Sequence, residues 1–255
     1  MNKIAILPAR MGSSRFYGKP MEKILGMPMI AHVYHRVKLS KNLDEVYVAT
    51  CDQIIFDYVE SFGGKAIMTG DHHERCTDRC TEALLKIETQ ENIKVDLMVM
   101  VQGDEVMVHP EMIDEALNAM LVDPEVQVVN LYSPILSQEE FEDPNEVKVV
   151  MNNKQEALYF SREAVPSIKK VSQQNHPFRQ VCIIPFQRDF LFKFNELEPT
   201  PLEIQESVDM MRVLEHGYSV KMVPTKHISK AVDTQEDLNQ VEVLMQNDPL
   251  LKVYG

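Results

Sequence analysis

The sequence predicts an α/β protein with a doubly wound, mostly parallel sheet and a mixed or antiparallel subdomain in its second half. In the first half, short apolar segments alternate with segments whose apolar residues recur at helical spacing. In the second half, segments of strand character follow one another more closely. The chain has 255 residues, of which 44% are apolar, so it can bury a large core.

The predicted elements of the first half form a βαβαβ pattern. Strands are predicted at 3–7, 45–50, 66–68 and 97–101, and helices at 29–39, 54–62 and 77–87. Gly63 and Gly64 end the second helix, as glycine commonly does after a helix C-terminus. This alternation predicts a parallel sheet covered by helices on both faces.

The predicted elements of the second half are less regular. Strands are predicted at 126–132, 147–151, 178–184 and 219–223, and helices at 202–217 and 234–245. No repeat, low-complexity segment or obvious linker interrupts the chain. We therefore expect one continuous domain over 1–255, with two halves that divide near residue 130.

Composition excludes several classes of protein. The net charge of −13 argues against a nucleic-acid-binding protein, which usually has a basic face. No apolar run approaches 20 residues, so no membrane insertion is expected. The first residues lack the pattern of a signal peptide. Four cysteines in such a chain predict reduced thiols and a cytoplasmic location.

The most informative segment is LPARMGSSRFYGKP, which runs from Leu7 to Pro20 directly after the first predicted strand. It contains Arg10, Arg15 and Lys19 and no acidic residue, within a strongly acidic protein. Its small residues allow the backbone to approach an anion, and a nucleoside triphosphate is the natural candidate. The alternative is a solvated surface loop. The segment is not a Walker A motif.

A second motif, VQGDE at 101–105, follows the most apolar predicted strand. Gln102 and Asp104 would lie at the same sheet edge as the cationic segment. A carboxylate there can hold Mg²⁺, which in turn binds substrate phosphates. The alternative is a plain turn formed by Gly103 and Asp104.

A third motif, AVDTQEDL at 231–238, allows two interpretations. Thr234 or Asp233 would cap the last helix, with Glu236 or Asp237 completing a capping box. Alternatively, Asp233 supplies a second carboxylate to the metal. The two roles exclude each other only in part.

The segment HHERCTDRC at 72–80 raises the question of zinc, because it has two histidines and two cysteines. Its spacing fits a structural zinc site poorly. Cys76 and Cys80 are four residues apart, which places them on one helical face. We favour a polar loop and a helix start close to the ligand.

Five segments together resemble the 3-deoxy-manno-octulosonate cytidylyltransferases, also called CMP-Kdo synthetases. They are LPARMGSSRFYGKP, VQGDE, NEVKVV, ALYFSR and VDTQEDL, in this order, and the resemblance runs from about residue 3 to about residue 245. It implies a Rossmann-like nucleotidyltransferase fold and a homodimer, with a nucleotide-binding half followed by a half for the sugar and the dimer contact. The implied reaction converts CTP and an acidic sugar into a CMP-sugar and pyrophosphate, with Mg²⁺ as cofactor.

The resemblance also implies residue roles. The residues holding the triphosphate would be Pro8, Ala9, Arg10, Arg15 and Lys19, and those near the base Thr77 and Gln102. The Mg²⁺ ligands would be Asp104 and Asp233, and the sugar-binding residues Arg162, Gln180, Glu206 and Asp209. Arg10, Arg15, Lys19 and Asp104 would act directly in catalysis.

The chain departs from the family pattern mainly on the sugar side. The departures are Gln180 for histidine, Pro185 for glycine, Asp209 and Met210 for a Glu-Gln pair, Arg75 and Cys76 for Ser-Gly, and Tyr17 for proline. Lost polar partners change which sugar hydroxyls are selected. The acceptor is therefore expected to be Kdo or a variant such as 8-amino-Kdo.

Two other functions stay open on the sequence. One is a transferase of the same fold that uses another nucleotide or another acceptor, such as a different sugar acid, a phosphorylated polyol or a phosphonate. The other is a non-catalytic relative that binds a nucleotide. Arg75 and Cys76, which lie near the base, motivate the first.

Overall fold

The computed structural model describes residues 1–12, 16–169 and 176–255, and the chain divides into two compact units. The first unit comprises Met1–Asp114 and Ile228–Gly255, and the second comprises Glu115–His227. The C-terminal segment thus returns to the first unit, and the division falls earlier in the chain than the predicted boundary near residue 130. That the whole chain is one domain stays a prediction.

The first unit contains six strands, four longer helices and two short ones among its described residues. The strands are β1 (Lys3–Ala9), β2 (Lys23–Ile24), β3 (Met27–Pro28), β4 (Glu45–Thr50), β5 (Lys65–Met68) and β6 (Leu97–Val101). The helices are a 3₁₀ turn (Lys19–Met21), α1 (Met29–Lys38), α2 (Gln53–Ser61), α3 (Cys76–Glu91), α9 (Gln235–Met245) and α10 (Leu251–Tyr254). They match the predicted alternation of strand and helix closely.

Four strands of the first unit form a parallel sheet in the order β6-β1-β4-β5. Of these four strands, the chain forms β1 first, then β4 and β5 on one side of it, and finally β6 on the other side. The direction of winding therefore reverses between β1 and β6. Ligands of open α/β sheets bind beyond the carboxyl ends of the strands at such a reversal. The fold class predicted from the sequence is confirmed, and it directs attention to the segments after β1 and β6.

The strands of the second unit are β7 (Val129–Pro134), β8 (Lys148–Met151), β9 (Ala157–Ser161), β10 (Phe178–Val181), β11 (Ile183–Gln187) and β12 (Lys221–Pro224). Five of them form a mixed sheet in the order β12-β7-β10-β8-β9. The helices of this unit are α5 (Gln138–Glu142), α6 (Arg188–Glu196), α7 (Pro201–Glu206) and α8 (Met210–Glu215), while α4 (Pro110–Val122) spans the boundary between the units. β12 and β7 run parallel and the other described pairs of this sheet antiparallel, as the prediction of a mixed sheet requires.

Several predicted elements of the second half are wrong in detail. The helix predicted over 202–217 is two helices, α7 and α8, because Ser207 adopts a left-handed conformation (φ 53°) that ends α7. The strand predicted over 178–184 is two strands, β10 and β11. No element is predicted for 110–122, where the structure has α4.

Within the described ranges, no helix has the length and apolar character that crossing a membrane would need.

Gly103 allows the turn after β6 to approach the end of β1. A Cβ atom at this position would lie 3.1 Å from the carbonyl oxygen of Pro8 and 3.7 Å from the Cβ of Ala9. The first of these contacts is tighter than carbon and oxygen normally adopt. Glycine is therefore needed here for close approach of two backbone segments rather than for an unusual φ.

We predict that Gly103→Ala lowers the free energy of unfolding by about 1–3 kcal/mol, because the added methyl group overpacks the junction of β1 and β6. Urea unfolding at neutral pH measures the change. Gly12→Ala is the matched control, since a Cβ at Gly12 meets no described atom within 4 Å. Equal stability of the two variants would contradict the packing argument.

Candidate functional site

The ammonium group of Lys19 lies between two carboxylates near the carboxyl ends of β1 and β6. Its Nζ is 2.7 Å from Oδ2 of Asp104 and 3.0 Å from Oδ1 of Asp233. The side chains of Lys19, Asp104 and Asp233 are 12%, 18% and 19% exposed. Three segments that are far apart in the sequence thus contribute to one half-buried charged cluster.

Local backbone structure places each member of this cluster. Gly18 adopts a left-handed conformation (φ 76°), and its N–H donates to the carbonyl of Met11 at 2.9 Å, which directs the chain into the turn that carries Lys19. Asp104 lies in the tight turn after β6. The N–H of Val232 donates to the Asp104 carbonyl at 3.1 Å and thereby holds the neighbouring Asp233 close by.

A second pair of residues supports the approach of these two segments. Glu105 is 4% exposed and Ser229 2% exposed, and the Ser229 hydroxyl donates to Oε2 of Glu105. This buried bond joins the turn after β6 to the segment that precedes α9. Glu105 and Ser229 are therefore positioning residues for Asp104 and Asp233.

The segment before α9 uses neighbouring residues for capping and for the charged cluster. Thr234 is the N-cap of α9, and it forms a capping box with Asp237, whose Oδ2 accepts from the Thr234 N–H at 2.9 Å. Asp233, one residue earlier, contacts Lys19. Of the capping alternatives, the structure therefore selects Thr234 with Asp237 and leaves the Asp233 side chain to the cluster.

The two carboxylates keep Lys19 charged. Burial alone lowers the pKa of Lys19, but the negative charges of Asp104 and Asp233 and the hydrogen bonds to them outweigh it, so the pKa lies above its usual value. Oδ1 of Asp104, in contrast, is buried and has no hydrogen-bond partner among the described residues. An anionic oxygen without a partner in such a place is suited to bind a cation.

The donor set fits a hard divalent cation. Carboxylate oxygens are the ligands that Mg²⁺ prefers, and Mg²⁺ commonly takes only one or two of them beside water and phosphate. The Lys19 ammonium already occupies a cation position against Asp104 and Asp233, while Oδ1 of Asp104 offers a further oxygen. These residues are therefore able to hold Mg²⁺.

Three of the predicted triphosphate residues lie at the end of β1. Pro8 and Ala9 are its last two residues and are buried. Arg10 follows and is exposed, and its Nη1 donates to the carbonyl of His73 at 3.3 Å. The prediction for Arg15 lies outside the described residues.

The predicted base-side residues lie on separate elements. Gln102 is half-buried directly after β6, and its side-chain amide forms no hydrogen bond to a described residue. Thr77 is fully buried in the first turn of α3, where its carbonyl accepts from Oγ1 of Thr81 at 2.9 Å.

Sequence reasoning missed two polar residues beside these segments. Arg79 is 3% exposed and donates to Oγ1 of Thr69 at 2.5 Å, while its Nη2 is buried without a partner among the described residues. Asp52 accepts from the N–H of Met11 at 2.8 Å and anchors the start of the cationic segment. The available signals were the position of Arg79 in Thr-Asp-Arg and that of Asp52 two residues after a predicted strand.

The turn that contacts Arg10 lies against the carboxylate of Glu82. The ring of His73 hydrogen-bonds Oε2 of Glu82, and Lys86 contacts Oε1 of the same carboxylate at 2.7 Å. Burial alone would raise the pKa of Glu82, but hydrogen bonds from Lys86, the Gly70 N–H and His73 outweigh it and lower that pKa to about 2. Glu82 is therefore an anion throughout the physiological range.

Of the predicted sugar-binding residues, the structure brings Arg162 and Glu206 together. The Arg162 N–H donates to Oε2 of Glu206 at 2.8 Å, and Glu206 also accepts from the hydroxyls of Tyr159 and Ser161. The Arg162 guanidinium donates to the carbonyls of Glu206 at 2.7 Å and Pro144 at 2.9 Å. Arg162 thus holds the end of β9 against the α7–α8 bend, and its sugar contact stays a prediction.

The other two predicted sugar-binding residues lie on β10 and at the start of α8. Nε2 of Gln180 donates to Oδ1 of Asn130 at 2.6 Å, and the buried Asn130 donates in turn to the carbonyls of Leu131 and Val181. Asp209 is the N-cap residue of α8.

Comparison with known proteins gives consistent results over nearly the whole chain. The profile of the family described as "Cytidylyltransferase" matches residues 4–248. The 3-deoxy-manno-octulosonate cytidylyltransferase of Syntrophotalea carbinolica is 40% identical over 250 residues, which cover 95% of this chain and 98% of that protein. The mitochondrial 3-deoxy-manno-octulosonate cytidylyltransferase of Arabidopsis thaliana is 40% identical over 245 residues, covering 95% and 83%.

A solved structure is similar to the same extent. The structure of a CMP:2-keto-3-deoxy-manno-octonic acid synthetase complexed with CTP superposes with a TM-score of 0.86 at 36% sequence identity. The match covers 96% of this chain and 99% of that one.

We predict that Lys19→Met lowers the free energy of unfolding at pH 7 by about 1–3 kcal/mol, because two half-buried carboxylates lose their counter-ion. Urea unfolding from pH 7 to pH 5 measures this loss. Repulsion raises the pKa of one carboxyl group in the folded variant, so that state takes up a proton and the loss shrinks as the pH falls. The wild type lacks this recovery, since Lys19 loses its proton only above the usual lysine pKa of 10.5.

The matched control is Lys41→Met, which removes an exposed ammonium that forms no ion pair with a described residue. We expect it to change stability by less than about 0.5 kcal/mol. A loss in Lys19→Met that is the same at both pH values would contradict the electrostatic explanation.

Proposed function

Since the chain belongs to the family of 3-deoxy-manno-octulosonate cytidylyltransferases, we propose that it transfers CMP from CTP to the anomeric hydroxyl of an acidic 3-deoxy-ulosonic sugar. The family predicted from the sequence is confirmed. The acceptor is Kdo or a variant such as 8-amino-Kdo. The observation that carries the proposal is the cluster of Lys19, Asp104 and Asp233 at the reversal point of the sheet, in a chain 40% identical to relatives of that name.

The reaction replaces a phosphoanhydride bond of CTP by a phosphate ester bond to the sugar. The anomeric oxygen of the sugar forms a bond to the α-phosphorus of CTP, and the bond from that phosphorus to the α,β-bridging oxygen breaks. Pyrophosphate leaves with the electron pair of the broken bond, and the proton of the attacking hydroxyl passes to solvent. Transfer of this kind needs positioning and charge neutralisation more than covalent participation by the protein. No protein general base is assigned.

Arg10 and Lys19 are the described cations placed to bind the phosphates. Arg10 is exposed at the end of β1, where a guanidinium can donate two parallel hydrogen bonds to phosphate oxygens. Lys19 supplies a point charge that stays protonated at neutral pH. Both would stabilise the negative charge that develops on the leaving pyrophosphate.

We further propose Mg²⁺ as the cofactor, held by Asp104 and Asp233. When bound there, it would withdraw charge from the α-phosphate and lower the pKa of the attacking hydroxyl. Supporting observations are the buried Asp104 Oδ1 without a partner and the ammonium that already bridges the two carboxylates.

The proposed acceptor site involves Arg162, Gln180, Glu206 and Asp209, by the resemblance. The sequence departs from the family pattern at Gln180 and Asp209 in particular. Asn130 fixes the amide of Gln180, because the amide nitrogen of Asn130 is itself held by two carbonyls. A residue anchored in this way offers a different hydrogen-bonding group from histidine, which supports a variant acceptor as well as Kdo.

A homodimer and a cytoplasmic location complete the proposal. The dimer is supported by the family resemblance alone, and light scattering should give twice the chain mass of 29.3 kDa. The cytoplasmic location is supported by the four cysteines, none of which forms a disulfide bond in the described part of the chain.

The function is tested by incubating the protein with CTP, Mg²⁺ and a panel of acids and measuring pyrophosphate release. The panel contains Kdo, 8-amino-Kdo and nonulosonic acids, and a second panel replaces CTP by UTP, ATP or GTP. We expect release with CTP and at least one ulosonic acid. No release with any acid from folded protein would contradict catalysis, and a preference for another nucleotide would favour a different nucleotidyltransferase.

We predict that Asp104→Asn lowers kcat by at least about a hundredfold, because the variant loses one of the two carboxylates proposed to hold Mg²⁺. Pyrophosphate release at saturating CTP measures the change. Asp57→Asn, which alters an exposed carboxylate on α2, is the control and should keep the wild-type rate. An unchanged rate in Asp104→Asn would remove Asp104 from the proposed metal site.

A further inference from the structure

Three side chains on the turn after β5 and on α3 form a cluster that the proposed reaction does not use. His72, His73 and Glu82 each offer one ligand atom, and these atoms all lie within 4.8 Å of one another. The centroids of the two imidazole rings are 4.2 Å apart. Neither Cys76 nor Cys80 belongs to this group, so it differs from the cysteine-based site weighed in the sequence.

The carboxylate of the cluster is held in place from two sides. The N–H of Gly70 donates to Oε2 of Glu82 at 3.0 Å, and Nζ of Lys86 lies 2.7 Å from Oε1. Lys86 also donates to the carbonyl of Met68 at 2.7 Å, which fixes the ammonium itself. Outer partners of this kind orient a ligating carboxylate and leave one of its oxygens directed at the imidazoles.

Gly70 makes room for the third ligand. A Cβ atom at Gly70 would lie 2.5 Å from Nδ1 of His72 and 3.5 Å from Oε2 of Glu82. The His72 ring therefore packs against the bare backbone of Gly70, with one ring nitrogen within 4.8 Å of a carboxylate oxygen of Glu82. Neither ring nitrogen of His72 has a hydrogen-bond partner in the part of the chain that the structure describes, and the residue is exposed to solvent.

We propose that His72, His73 and Glu82 form a site for a transition-metal ion of the Zn²⁺ type, with one coordination position open to water. Two imidazole nitrogens and one carboxylate suit Zn²⁺, whereas Mg²⁺ prefers oxygen ligands throughout. Metal binding would break the hydrogen bond between His73 and Glu82, and the proton of that bond would pass to solvent. The site is distinct from the Asp104 and Asp233 pair.

Its location ties the site to the nucleotide side of the first unit. The carbonyl of His73 accepts from Nη1 of Arg10 at 3.3 Å. A metal bound by His72 and His73 fixes the turn whose backbone anchors Arg10. Occupancy therefore stabilises the fold around the end of β1 without supplying a reacting group.

The test is calorimetric titration of untagged, metal-free protein with ZnCl₂ in the presence of millimolar Mg²⁺, which occupies the carboxylate pair. We expect one Zn²⁺ per chain. His72→Ala and Glu82→Gln should each weaken binding at least about tenfold. His216→Ala, which removes an exposed histidine of the second unit, should bind like the wild type. Circular dichroism verifies that each variant is folded.

A cobalt titration identifies the ligands independently of affinity and activity. Co²⁺ in the site should give the visible absorption of a four-coordinate ion without a thiolate charge-transfer band. A thiolate band, the absence of Zn²⁺ binding to the wild type, or unchanged binding in both folded variants would overturn the proposal. His72→Ala should keep pyrophosphate release in the absence of Zn²⁺, so a failure of the metal site is distinguishable from a failure of the proposed reaction.

Discussion

Two carboxylates, from Asp104 and Asp233, approach each other at the carboxyl end of the parallel sheet because one ammonium lies between them. Without Lys19, these two half-buried negative charges would repel each other with no ammonium between them. The surrounding backbone serves this arrangement. Gly103 lets the turn after β6 approach β1, and the Val232 N–H ties the last segment of the chain to that turn. The C-terminal segment returns to the first unit to supply one of these carboxylates.

The same cluster connects the fold to the proposed chemistry. The ammonium of Lys19, held against two carboxylates, marks a place where positive charge is stable. Lys19 belongs to the cationic segment that follows β1. Lys19 then has two uses: it neutralises the carboxylates in the protein alone, and it binds phosphate oxygen in the proposed reaction. The order of the strands explains the location, since β1 and β6 flank the reversal point of the sheet.

Sequence patterns predicted the parts of the molecule that depend on local periodicity. The alternating strands and helices of the first unit, and the polar residues after β1 and β6, follow directly from them. What the sequence could not predict depends on contacts between distant segments. The left-handed Ser207 that splits α7 from α8 and the hydrogen bond from Ser229 to Glu105 have no local signature. The dual use of Thr234 and Asp233 was visible only as alternatives.

The most direct measurement is anomalous diffraction from crystals grown with CTP and Mn²⁺ as a substitute for Mg²⁺. We expect an anomalous peak within coordination distance of Asp104 and Asp233, next to the triphosphate, with Lys19 contacting a phosphate oxygen or a carboxylate. Asp104→Asn crystals should lose the peak. A well-defined CTP molecule whose metal ion lies away from both carboxylates would contradict the central claim that this pair is the metal site.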